Sequence, residues 1–438
     1  MMPAVTAVSR GGLVDGTGRG FHLFFHHFLG VFLLSFIAKA AYFFAWPDSP
    51  FAVDRVAYGP AFLRYLVVLS VVLSLGFIGL FIAGFATVTR HGARLPELPW
   101  DARIARCVAV AGYVLVAVSV YLNREILADL FSGRFLSMFA RVLNAELAES
   151  GDAALAVLFT NIVRFFAIVV LVDAYVRRRW LNAVVFSIFF ILQILLSAGS
   201  RFNMLASLLV FPLSLLFARP GMLKRTQAIV VVYVATFLLP MVSGVLLMLR
   251  IGGELALRNL FSGALATFDS LDHFLYFLAN REVEFPNWAY YEDLLQILPR
   301  AFFPDKPALY GMIKLQVSMY PDSIGGGVAG SISYGHFPLS IMTMSYAFYG
   351  LVGIVVMALL SGAFVALIDR CAEKVNPLLA GAFIFHIVYA VNFIRQGLVN
   401  FLLAQTQIVY VPAVLVLGVM AIGVLSGRRR ALGATAPG

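Results

Sequence analysis

Arginine and lysine side chains at constrained turns are the residues of this sequence best suited to chemistry. Arg201 sits in the short turn Ser197-Ala198-Gly199-Ser200-Arg201-Phe202 between two apolar runs. Arg300 and Lys306 lie in Leu298-Pro299-Arg300-Ala301-Phe302-Phe303-Pro304-Asp305-Lys306-Pro307, where three prolines fix the backbone. Arg258 and Arg395 occupy two further connections. A guanidinium stays charged at any working pH and grips phosphate oxygens in pairs. Several such cations converging at a bilayer surface suit a lipid-linked pyrophosphate. The plainer alternative is that each is an interfacial side chain with its charge in water and its stem in lipid.

Other ionisable residues nominate candidates without choosing among them. Arg164 lies near mid-depth of an apolar run, where a charge is expensive and is by default paired or functional. Lys39, nearer a run's end, can snorkel. His336 in Ser333-Tyr334-Gly335-His336 is a candidate general base. Among the acidic residues Asp269, Asp272, Glu282, Glu284, Glu292, Asp293 and Asp305 no pair has a diagnostic spacing, and solvated loop charge is the default for each. Asp272 and Asp305 are retained as base candidates. His22, His26 and His27 cluster without an acidic or thiol partner, so they read as packing residues, and no metal site is expected. No nucleotide-binding or cofactor motif is present in the sequence.

The elements that must position these groups follow from composition. The chain has 438 residues, 61% hydrophobic and only 12% charged, with a net charge of +10. Soluble domains run about 45–50% apolar and about 25% charged, so one soluble domain is excluded. A helical span needs roughly 20 apolar residues, and we read about ten. They fall at 21–45, 61–88, 104–122, 153–176, 181–198, 203–218, 227–249, 349–368, 377–392 and 404–426. The expected fold is an all-α polytopic membrane helix bundle, with residues 1–438 forming a single membrane domain. Basic residues set its orientation. Arg90, Arg94 and Arg103, then Arg177 to Arg179, Arg219, Lys224 and Arg225, Arg370 and Lys374, and Arg428 to Arg430 all fall on one side, which is then cytoplasmic. Both termini are cytoplasmic in this scheme. Those loops account for the whole positive excess, and the outer face is slightly acidic, so nucleic-acid binding is not implied. Cys107 and Cys371 fall near cytoplasmic span ends and should be free thiols.

Three outer segments exceed a turn. In 123–152, Leu127, Leu130, Phe131, Phe135, Met138, Phe139 and Val142 recur at helical spacing, opposite Asp129, Arg134 and Arg141. This predicts an amphipathic surface helix. The large loop 250–348 is too apolar for disorder, with short helices expected over 261–277 and 288–298. Gly350 and Gly353 allow a break, which makes 336–348 a re-entrant or interfacial piece. The third is 393–403, a turn bearing Arg395.

Several of these stretches resemble the Wzy-type O-antigen (oligosaccharide repeat unit) polymerases. The similar features are Gly199-Ser200-Arg201 at an outer turn, the proline-framed Leu298–Pro307 stretch, Tyr346-Ala347-Phe348-Tyr349-Gly350-Leu351-Val352-Gly353, and Ile394-Arg395-Gln396-Gly397. Family members often carry a glutamate before the aromatic–glycine segment, where this chain has Met344 and Ser345. The resemblance implies a metal-independent glycosyltransferase in the bacterial inner membrane, with no cofactor. Its large loop would be periplasmic. It would extend a glycan held on undecaprenyl pyrophosphate, with Arg201, Arg300, Lys306 and Arg395 of the similar stretches binding the leaving group, and Arg164 and Arg258, outside those stretches, are kept as further binding candidates from their charge. A flippase and a chain-length regulator are the implied partners, besides membrane lipids. An O-antigen ligase is the main alternative, kept open by His336. A polysaccharide transporter or flippase is the alternative from another class.

Overall fold

The computed structural model describes residues 20–45, 60–91, 95, 97–132, 151–196, 207–251, 270–279, 315, 339–374 and 376–434. Those residues form thirteen principal helices: α1 Leu23–Ala45, α2 Pro60–His91, α3 Ala102–Leu122, α4 Arg124–Phe131, α5 Gly151–Val176, α6 Trp180–Leu196, α7 Val210–Ala218, α8 Arg225–Ile251, α9 Ser270–Ala279, α10 Ile341–Ala372, α11 Pro377–Val388, α12 Ala390–Gln405 and α13 Val411–Ala434. Among the described residues, six stretches are long and apolar enough to cross a membrane: α1, α2, α3, Arg225–Val242 of α8, α10 and Ile408–Leu425. The α11–α12 pair, bent by 96°, makes a seventh if it is one broken span. The protein is therefore a polytopic helical membrane protein. The expected spans at 153–176, 181–198 and 203–218 fall on α5, α6 and α7, which stand outside that group.

The outward faces carry the signature of a lipid solvent. Val68, Val72, Leu75 and Ile82 of α2 and Val230, Val234 and Leu238 of α8 are exposed at helical spacing. In water such stripes would be association surfaces, whereas hydrocarbon satisfies them.

The centre is aromatic. Along α1 and α2, Phe25 meets Phe85, Phe28 stacks on Phe81 at 4.6 Å and Phe32 on Phe77 at 5.1 Å. The steps of three and four residues, rising on one helix and falling on the other, make the pair antiparallel. Helices α2 and α10 come closer still. Added Cβ atoms at Gly84 and Gly362 would overlap the Leu359 and Phe81 carbonyl oxygens. Small residues permit such approach where no hydrophobic effect drives helices together.

Hydrogen bonds also sort the connections by end. Arg370 donates to the Thr89 carbonyl (3.0 Å), Asn376 to Leu98 (3.1 Å) and Arg177 to Trp100 (3.1 Å). Arg225 and Arg370 act electrostatically on His22. The basic connections after α2, α5, α7 and α10 thus gather at one end of the bundle. Cys107 and Cys371 are free and half-buried.

Two expectations are corrected, and a third falls partly outside the described residues. Residues 393–403 are not a loop but part of α12, because the chain turns at Tyr389 and stays helical up to a break at Gly397. Asp129, expected on a polar outer face, is 2% exposed, while Phe131 is 76% exposed. The eight-residue α4 turns its acid toward the bundle; Arg134 and Arg141 lie outside the described residues. The helix expected over 261–277 appears as Ser270–Ala279, and 261–269 and 288–298 fall outside the described residues.

Candidate functional site

The end opposite the basic connections is built from interrupted helices. The first interruption is in α1, where Leu33–Ala38 forms a π-helical turn. One extra residue in a turn rotates everything after it by about 100° relative to the preceding stripe. That rotation helps explain a miss. Lys39, read as an outward snorkelling residue, is instead 2% exposed.

Its partner comes from the large loop. Asp272, in the first turn of α9, accepts from the Lys39 Nζ at 2.5 Å, and both side chains are buried. The expectation that Asp272 is solvated loop charge is thereby overturned. A carboxylate near a helix N-terminus is favoured by the helix dipole, and burial is tolerable because the ammonium is there. His273 beside it is also buried.

Helix α9 is held by aromatic contacts to α10. Phe274 and Phe277 meet the Tyr346 ring edge-on at 6.3 and 6.2 Å. Tyr346 belongs to a short first segment of α10. Ser340 caps that segment through a bond from the Thr343 N–H (3.1 Å), and Ser345 Oγ bonds back to the Ile341 carbonyl (2.5 Å). The helix breaks at Tyr349 (φ −141°, ψ 17°) and Gly350 (φ 57°, ψ −139°). After the break the chain folds back so tightly that a Cβ at Gly353 would overlap the Ser345 carbonyl oxygen. Gly350 takes a left-handed φ that glycine adopts without cost.

A further interruption is Gly397 in α12 (φ 75°, ψ 167°), and a second π-helical turn, Thr406–Tyr410, joins α12 to α13. It lies against α10: an added Cβ there would sit 3.6 Å from the Met344 Cβ and 3.8 Å from the Ile341 Cα. Half-buried Arg395 is two residues before this contact. Irregular backbone at such depth is tolerated where it is buried in protein or lines a cavity. Four pieces of secondary structure therefore meet at broken backbone: the π turn of α1, α9, the first segment of α10, and α12.

Of the residues singled out from sequence, Asp272 and Arg395 belong to these elements. Arg164 is half-buried on α5, next to Phe165, whose ring lies 5.7 Å from Phe385 of α11. Helix α5 packs chiefly on α3, α6, α7, α11 and α13, so Arg164 stands apart from α9. Arg201, Arg258, Arg300, Asp305, Lys306 and His336 lie outside the described residues. The Lys39–Asp272 pair was not anticipated. The signal available was the general rule that an ionisable residue inside a span is paired.

Histidines elsewhere have structural partners. His27 Nδ1 bonds Thr236 Oγ1 (2.6 Å), His26 Nδ1 the Tyr233 hydroxyl (3.3 Å), and His386 Nδ1 the Ala382 carbonyl (2.7 Å). Among the described residues no group of three or more histidines, cysteines or acids is placed to hold a metal. No family model matches the chain, and no curated protein or solved structure matches it either.

Proposed function

We propose that the protein is a lipid-linked oligosaccharide polymerase of about ten spans with both termini cytoplasmic, set in a bacterial inner membrane, as its resemblance to the Wzy-type family implies. In this reading the interrupted-helix end faces the periplasm. An acceptor sugar hydroxyl attacks the anomeric carbon of a second repeat unit. The bond from that carbon to pyrophosphate breaks, the pyrophosphate takes the electron pair, and the hydroxyl proton passes to a base. Arg395, with Arg201, Arg258, Arg300 and Lys306 from the adjoining connections, stabilises the charge that grows on the leaving group. Asp305 and His336 are the base candidates. Asp272 serves only if Lys39 releases it. Arg164 would bind at a distance from this cluster.

The observation that carries the reading is the gathering of α9, the broken start of α10 and Arg395-bearing α12 at the end away from the basic connections. Such a place sets the Arg395 guanidinium beside irregular backbone, which suits a lipid-linked pyrophosphate. Arg395→Ala should abolish chain extension while leaving membrane insertion intact. Arg395→Lys should also impair it, because paired bonds to phosphate are lost. Chain extension by purified protein on lipid-linked repeats is the test, and normal chains from Arg395→Ala would remove that residue from the site.

One other reading has a specific observation behind it. Broken helices at Gly350 and Gly397 and the buried Lys39–Asp272 pair are also what transporters use. A transporter would move the lipid-linked glycan across liposomes without changing its length.

A further inference from the structure

A separate feature lies at the basic end. A half-open groove lies between α1, the α7 segment and the start of α8. Its walls are apolar, including Leu213, Leu216, Met222, Val232 and Ala235. His27 is the exception, and it is 2% exposed. Its Nδ1 is taken by Thr236, and its Nε2 has no hydrogen-bond partner. The Ile387 backbone, also in the wall, is the other polar group acting on the ring.

The rim is as telling as the walls. Met222 and Leu223 line the groove, and Lys224 and Arg225 follow directly. Arg219 and Lys224 are exposed, and the Arg225 Nε is buried without a hydrogen-bond partner. An apolar slot whose lining is flanked along the chain by Arg219, Lys224 and Arg225 matches one amphiphile: an apolar tail under an anionic head. Basic pockets between helices at a membrane surface bind anionic headgroups, each cation contributing about 1 kcal/mol.

We propose that this groove binds one acyl chain of an anionic bilayer phospholipid, whose phosphate is held by Arg219, Lys224 and Arg225 and whose ester oxygens reach toward His27. This site is independent of the polymerase reading and lies at the other end of the bundle. Its occupant is a structural lipid that seals α1 against α7 and α8.

The test uses the full-length protein in nanodiscs of phosphatidylglycerol and phosphatidylcholine in equal parts, with bound lipid counted by native mass spectrometry. Wild type should retain phosphatidylglycerol preferentially. Lys224→Gln with Arg225→Gln should weaken that preference by roughly fivefold per charge removed, from the 1 kcal/mol above. Ala235→Trp, which fills the slot, should release both lipids. Arg428→Gln with Arg429→Gln, cations elsewhere on that side by the topology, should change nothing. If Ala235→Trp fails to fold, the two charge variants still decide. Equal retention of both lipids, an unchanged preference in Lys224→Gln/Arg225→Gln, or an equal loss in the Arg428/Arg429 variant would overturn the proposal. So would displacement of phosphatidylglycerol by an equimolar polyisoprenyl phosphate, which would make the groove a carrier-lipid site.

Discussion

The two ends of this bundle handle polar groups in opposite ways. At the basic end, side chains close off helix termini and loops. Asp369 of α10 accepts the Phe24 and Phe25 N–H groups at 2.9 and 3.0 Å, supplying the cap that His22 does not. Asn376 caps α11 and also binds the Leu98 carbonyl. Asp173 collects the Trp100 indole and Arg177, both at 2.7 Å. At the other end the backbone itself is interrupted three times, and an ion pair is taken out of water. The first pattern satisfies orphan groups and fixes loops. The second holds costly features in place, as sites that act on ligands commonly do. Function is therefore sought where helices break.

The contrast can be broken most sharply at the two acids. Asp272→Ala removes the buried carboxylate to which the Lys39 ammonium donates, at a cost of about 3–5 kcal/mol. Asp173→Ala, whose Arg177 and Arg179 partners are partly in solvent, should cost about 1–2 kcal/mol, chiefly through the half-buried indole bond. Thermal unfolding in detergent measures both, and equal losses would erase the distinction. Lys39→Met with Asp272→Leu should recover most of that stability.

Glycine substitutions come next. At Gly362 and Gly353 a methyl group meets backbone oxygen, so alanine should cost about 1–3 kcal/mol or more. At Gly350 nothing lies within 4 Å, so only the left-handed φ is penalised, by about 1–2 kcal/mol. If Gly350→Ala were the worst of the three, the fold-back at Ser345 would be the wrong description. The cross-helix cap is third: Asp369→Ala exposes two buried donors and should cost about 1–3 kcal/mol, against about 1 for Asn376→Ala.

The smallest effects concern pH. Burial pushes the Glu373 carboxyl up, opposed by Arg370 and Lys374. Its contribution to stability is present below the ordinary glutamate range and is lost as pH rises through the raised value. Asp101 behaves oppositely. The Ile104 and Arg103 N–H groups hold its carboxyl low, so its contribution is present above the ordinary aspartate range and lost as pH falls through the depressed value. Glu373→Gln and Asp101→Asn should each flatten one limb of the unfolding temperature against pH.

Much of the architecture could be read from sequence because lipid-facing and aromatic core positions both follow helical spacing. The break at Gly350 was legible from an apolar run too long for one straight span. Basic connections grouped on one side were legible because charge bias in loops is a direct record of topology. Lys39 was not, since a π turn leaves no trace in composition and shifts the inward face without warning. Asp272 was hidden for a related reason. Its partner lies 233 positions away, and no spacing rule links them. Arg395 was singled out but assigned to a loop, because a 96° bend within helical sequence has the same hydropathy as a span followed by a turn.

The most direct test is to reconstitute the full-length protein in liposomes with purified undecaprenyl-pyrophosphate-linked repeat units and to follow both glycan length and lipid location. The expected result is chains longer than one repeat with release of undecaprenyl pyrophosphate, lost in Arg395→Ala. Single repeats that cross the bilayer unlengthened would contradict the polymerase reading and establish a transporter in its place.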